Sequence, residues 1–370
     1  MQAEAQERLE RLLSYLDQDP ENVPLLRDVA QAAMAAAAMD QAKALYGRLK
    51  QLGELSEADS NDWAIAAMRS GEPKLAAATF AGLLETAPGD QALKFNLAWA
   101  RSLAGDEEGA RSLLDEELVD ALPQAAQLEV HLLHAAGKFD EAAERAKAHL
   151  ARHGDYSPLL AATSVLALDI EDEVLARECA ERAGAHPDAL TTLATLTLGD
   201  ADPDRARALF ERSLTINAQS PRAWVGLGLT DLVAGKSVEA GEKIDRGAEL
   251  FGDHLGSWIA AGWAYLIAGD LSKARARFEH AVELDGTFAE CQGSLAVTEI
   301  LMGEGEAAKG RVEIALRLDR QCFSAAFANM LLAAVEGDPE KGRRFIEIAL
   351  KQPIGESKRT IVDMVTRMAR

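Results

Sequence analysis

Apolar positions in this chain recur at helical spacing in two short stretches, separated by a turn rich in Gly and acidic residues, and then the pattern begins again. The period is plainest in two Trp-centred segments. Trp224-Val225-Gly226-Leu227-Gly228 and Trp258-Ile259-Ala260-Ala261-Gly262 lie 34 residues apart. Each is followed, in the second stretch, by a small residue, Ala240 or Ala274. That small residue forms a ladder: Ala42, Ala76, Ala110, Ala142, Ala176, Ala206, Ala240, Ala274, Ala308 and Gly342. The step is 34 residues throughout, save for a loss of two before Ala142 and of four before Ala206. One helix pair of this size cannot bury its own apolar stripe, so the pattern predicts antiparallel pairs stacked on one another.

The punctuation agrees. Gly71, Gly105, Gly137, Gly235, Gly269, Gly303 and Gly337 fall just after the first stretch of a unit, where a left-handed helix cap favours Gly. Pro88, Pro187, Pro221 and Pro353 fall between units, where a helix must stop. Residues 1–22 predict an N-terminal capping helix with Leu9, Leu12, Leu13 and Leu16 on one side. Residues 354–370 predict a C-terminal amphipathic cap carrying Ile361, Met364, Val365 and Met368. The repeats occupy 23–353.

In its motif residues the chain resembles the tetratricopeptide repeat (TPR) family. The fullest copy has Trp258, Gly262, Tyr265, Ala274, Phe278 and Ala281; another has Trp224, Leu227, Gly228, Ala240 and Ile244. The likeness is strong over 188–320, good over 23–122 and loose over 124–187. It implies about ten units in an all-α, right-handed solenoid whose first helices line the ligand-binding face. The fifth and ninth positions of the copies lack the Lys and Asn of the chaperone-binding carboxylate clamp, so that role is not expected.

The resemblance also picks out the inward positions. Between residues 222 and 335 they are almost wholly apolar and include Val225, Leu229, Leu232, Val233, Ile259, Trp263, Leu266, Val297, Ile300, Leu301, Phe327 and Leu331. Toward the N-terminus they are mixed: Phe95, Trp99 and Leu103, then Gln124, Gln127, His131 and His134. Two readings remain open. The strip receives an apolar or amphipathic segment of another polypeptide, or tight winding or the C-terminal helix of this chain already covers it.

Composition narrows the classes of function. Acidic residues number 60 against 39 basic ones, for a net charge of −21. That weighs against nucleic acid and anionic membrane as partners, and favours a client with basic flanks. The segment 340–370 departs from this trend, with eight bases against four acids, and would suit an acidic partner or a second copy of the chain. Cys179, Cys291 and Cys322 are far apart and form no CxxC, which predicts reduced core residues. No secretory leader or membrane span is visible, so a cytoplasmic location is expected; the Ala- and Arg-rich composition suggests a bacterial source.

Motifs for chemistry fall short. Val233-Ala234-Gly235-Lys236-Ser237 lacks the first Gly of a P-loop. Asp200, Asp202, Asp204 and Glu211 have calcium-loop spacing, but Arg205 stands where the sharp turn needs Gly. His131, His134, His149 and His153 cluster in sequence without a common face. No catalytic residue, metal or cofactor is expected. The chain reads as a non-catalytic adaptor, scaffold or chaperone, with a peptide or metabolite sensor, or an accessory subunit of a secretion or envelope polysaccharide machine, as alternatives.

Overall fold

A computed structural model of the chain describes residues 2–337, which contain helices and turns and no strand. The predicted cap at 354–370, the basic segment from 340 and Gly342 lie outside the described residues. The chain divides into two compact units, residues 1–159 and residue 160 onward, where the sequence suggests one uninterrupted array.

In the first unit, α1 (Gln2–Leu16) packs on α2 (Val23–Ala35), burying Leu9 and Leu16. The pairs α2 with α3 (Met39–Gln51) and α4 (Glu57–Arg69) with α5 (Pro73–Thr86) follow. Next come α6 (Gln91–Leu103) and two short helices, α7 (Glu107–Arg111) and α8 (Glu116–Ala121), in place of one second helix. The interruption comes where Asp115 accepts a hydrogen bond from Leu118 N–H and starts a new helix. The pair α9 (Pro123–Ala135) with α10 (Phe139–His153) closes the unit.

The boundary falls inside α11 (Ser157–Asp169). The second unit continues with α12 (Glu173–Ala183), α13 (Pro187–Gly199), α14 (Pro203–Ile216), α15 (Pro221–Val233) and α16 (Ser237–Phe251). It ends with α17 (Leu255–Ala268), α18 (Leu271–Leu284), α19 (Ala289–Leu301), α20 (Gly305–Leu318) and α21 (Phe323–Gly337).

The small-residue ladder is what joins each pair. Ala42, Ala76, Ala110, Ala142, Ala176, Ala206, Ala240, Ala274 and Ala308 are all fully buried. Four residues on, the position is large and buried at Tyr46, Phe80, Phe210, Ile244 and Phe278. At 146 and 180 it is only Ala, so the loosely patterned stretch of the sequence has less apolar surface to bury. A side chain at Gly262 would place its Cβ 2.4 Å from the Phe278 ring, so that Gly sets how closely α17 and α18 approach.

The turn after each first helix repeats as well. Ala37, Gly71, Gly105, Gly137, Glu171, Ala201, Gly235, Gly269 and Gly303 all have positive φ. The next residue closes the cap with a long backbone hydrogen bond, as in Asp270 N–H to Tyr265 C=O at 2.9 Å. Gly337 is the last residue of α21.

Candidate functional site

The first helices of the two units present the same register of residues, yet the two faces have opposite fates. In the second unit the expected apolar strip is core. Val225, Leu229, Leu232, Ile259, Trp263, Leu266, Val297, Ile300, Phe327 and Leu331 are all buried. Leu301 is half-buried and Val233 is exposed, both near the C-terminal ends of their helices. Of the two readings left open for 222–335, these burials fit cover by neighbouring helices.

The physical reason is close approach between successive first helices. A Cβ on Gly293 would lie 2.6 Å from the Ala325 nitrogen, so α19 and α21 meet almost backbone to backbone. Trp263 donates its indole N–H to Ser294 Oγ at 3.0 Å, and its ring lies 6.1 Å from Phe278 and 6.2 Å from Phe327. Contacts with α18, α19 and α21 leave Trp263 no exposed surface.

A ladder of charge that the sequence analysis missed also stabilises this packing. Lys243, Arg277 and Arg311 are 34 residues apart, and Arg145 holds the equivalent place in the first unit. Each reaches a carboxylate that is wholly or largely buried. Lys243 and Arg207 bind Asp231; Arg277 binds Asp245 at 2.6 Å; Arg311 binds Glu299 at 2.5 Å; Arg145 binds Glu129 at 2.9 Å. Burial pushes the Asp231 carboxyl up, but the hydrogen bonds from Lys243 and Arg207 together outweigh it and hold the group below its ordinary value. The 34-residue spacing of these cations was the signal that would have revealed them.

In the first unit the register stays accessible. On α6, Phe95, Trp99 and Leu103 lie one turn apart along one face. The Phe95 and Trp99 rings are 6.0 Å apart, Trp99 is 40% exposed and Leu103 52%. The matching positions on α4 are half-buried Asn61 and Ile65 and exposed Arg69; on α9 they are half-buried Gln127 and exposed His131. Leu103 borders a cleft of about 500 Å3 shared with residues 71–75.

Carboxylates are absent from this register and from all of α6. Three of the four on the neighbouring helices are engaged elsewhere, and the fourth, exposed Glu57, opens α4 at the end opposite Arg69. Asp59 pairs with Arg27 at 2.9 Å, Asp62 accepts from the Tyr46 hydroxyl, and Glu129 is held by Arg145 and His149. Burial opposes the ionised form of Glu129, and its bonds to His149 and Arg145 restore it, so its pKa is lowered. Arg69 and Lys74 have no carboxylate partner among the described residues.

The four clustered His do not converge. His149 is fully buried against Glu129 at 2.5 Å, while His153 Nε2 lies 2.9 Å from the Val119 carbonyl. Among the described residues, no group of three or more His, Cys, Asp or Glu is placed to hold a metal. Asp202 caps α14 through Arg205 N–H, and Asp200 pairs with Arg177, which accounts for the calcium-like spacing. Cys179, Cys291 and Cys322 are buried free thiols; burial raises their pKa values to about 11, 12 and 12. Among the described residues, no helix is long and apolar enough to cross a membrane.

No family model and no curated protein matches this chain. Solved structures do. The human IFIT1 dimer with PPP-AAAA matches 91% of this chain and 87% of its own, at 13% identity and a TM-score of 0.57. A tetratricopeptide repeat protein from Parabacteroides merdae matches 66% of this chain and 98% of its own, at 15% identity and 0.45. YrrB, a TPR protein with an unusual peptide-binding site, matches 50% of this chain and 97% of its own, at 15% and 0.40. At these identities the likeness concerns fold. The chain is an all-α solenoid of consecutive helix pairs with the 34-residue tetratricopeptide pattern. The expectation against nucleic acid rests on net charge alone.

Proposed function

We propose that this protein is a non-catalytic binding module for another polypeptide, an adaptor, scaffold or chaperone, and that its docking face is the first-helix register of α4, α6 and α9. The observation that carries this reading is the contrast between two Trp residues at the same place in the repeat. Trp263 is completely buried, whereas Trp99 is 40% exposed beside Phe95 and Leu103. A large aromatic held at the surface by a rigid helix loses little entropy on binding and offers much apolar area, the usual character of an interface anchor. Asn61 and Gln127 on either side offer amides for the backbone of a bound segment.

The fully buried members of the original strip, Val225 through Leu331, act in this proposal as the scaffold rather than as the contact surface. Val233 and Leu301 are the accessible remnants of that strip. The test is selection of binders to the full-length chain from a random peptide library displayed on phage. Trp99→Ala should weaken a selected peptide by about tenfold or more, the loss expected of an anchor. Val174→Asp, at an 80% exposed position on α12, should leave it unchanged. Equal binding to Trp99→Ala, Leu103→Asp and the unaltered chain would remove this reading.

A further inference from the structure

We infer that the segment held on the α4–α6–α9 face is acidic: apolar side chains seated on Phe95, Trp99 and Leu103, with carboxylates directed at Arg69 and Lys74. The inference rests on the docking face proposed above and specifies what that face selects.

A net charge of −21 would suggest a basic client. Net charge, however, acts at a distance and is screened over about 8 Å at physiological salt, so contact residues decide local preference. Here the contact residues run against the whole. No Asp or Glu stands at an inward position of α4, α6 or α9; of the four carboxylates on these helices, three are bound to Arg27, Tyr46, Arg145 and His149, and the fourth, Glu57, lies at the end of α4 opposite Arg69. Glu72, on the cleft beside Leu103, is held by Lys43 at 2.7 Å. Exposed Arg69 and Lys74 are left unmatched on either side of the turn that follows α4. A basic segment would meet like charge at Arg69 and Lys74. An acidic one would complete two ion pairs next to an apolar anchor.

A nucleic acid strand is the competing polyanion. It gains affinity by neutralising many phosphates at once, and two unmatched cations on a strongly acidic chain supply few such contacts. An acidic peptide needs only a few carboxylates in register with its apolar residues.

The same phage selection tests the inference through the composition of the enriched peptides. They should combine Asp or Glu with Leu, Phe or Trp. A synthetic copy of the leading peptide should bind Arg69→Glu/Lys74→Glu about tenfold more weakly, and rising salt should narrow that difference. Both substituted side chains are exposed, and matching circular dichroism melts would show that the variant folds. Enrichment of neutral or basic peptides whose binding Trp99→Ala abolishes would keep the docking face and overturn the acidic preference. No enrichment, or enrichment indifferent to Trp99→Ala, would overturn both. A labelled single-stranded oligonucleotide that binds as tightly as the leading peptide, and competes with it, would also overturn the inference.

Discussion

An L-residue with a Cβ in the left-handed region costs about 1 kcal/mol or more relative to Gly, and three of the repeat turns bear that cost. Ala37, Glu171 and Ala201 adopt φ of 59°, 61° and 62° where six other turns use Gly. Ala201→Gly should therefore raise stability by about 0.5–1 kcal/mol, and Gly269→Ala should lower it by about 1 kcal/mol, in urea denaturation. Space does not decide this, because a Cβ at Gly269 meets nothing within 4 Å. Opposite signs are expected, and a destabilised Ala201→Gly would count against the strain argument. The Trp pair gives a second residue-scale test. Trp263→Ala should cost about 3–5 kcal/mol because it empties a packed site. Trp99→Ala, at a half-open surface, should cost under about 1 kcal/mol. Leu229→Asp would place a charge in the core and unfold its surroundings, so it is a probe of stability and not of binding.

Between helices, the buried carboxylates set the response to acid. Asp231 and Asp59 ordinarily titrate near 3.8, and both are lowered in the folded chain. For Asp59, burial opposes ionisation, and the bonds from Ser56 and Arg27 overcome it. A lowered folded pKa means the stabilisation is complete above the unfolded value and is lost as pH falls through the folded one. The melting temperature should therefore hold steady in mildly acidic buffer and fall once pH drops below 3.8. Asp231→Ala should flatten part of that fall and cost about 2–4 kcal/mol near neutrality, since it strands Arg207 and Lys243. A melting profile with the same acid limb in Asp231→Ala would show that the ladder contributes little.

At the scale of the whole molecule, each unit has its own apolar core, and protection should follow how its helices are covered. In hydrogen exchange, amides of α17 and α19 should be slowest, because nearly every residue on both helices is buried. The short helices α7 and α8, of 5 and 6 residues, should exchange fastest among the described helices. Slow exchange in α7 would mean that the broken second helix is held more firmly than its length suggests.

Periodicity alone determined the pairing of helices, the Ala ladder from Ala42 to Ala308 and the placement of the left-handed turns from Gly71 to Gly303. Each of these follows from residues within one or two turns of helix, or at one fixed repeat distance. The register of the inward face was also legible, which is why Trp99 and Trp263 could be assigned the same position in advance. Their opposite exposures were not legible. A residue's place on a helix says which way its side chain leaves the backbone, but burial depends on which distant atoms arrive in front of it. Phe327 and Ser294 arrive in front of Trp263, with Gly293 letting the neighbouring helices close in, while Trp99 keeps an open side. That is decided only when remote helices pack, and so the tertiary structure, and not the repeat, selected which aromatic is core and which is surface.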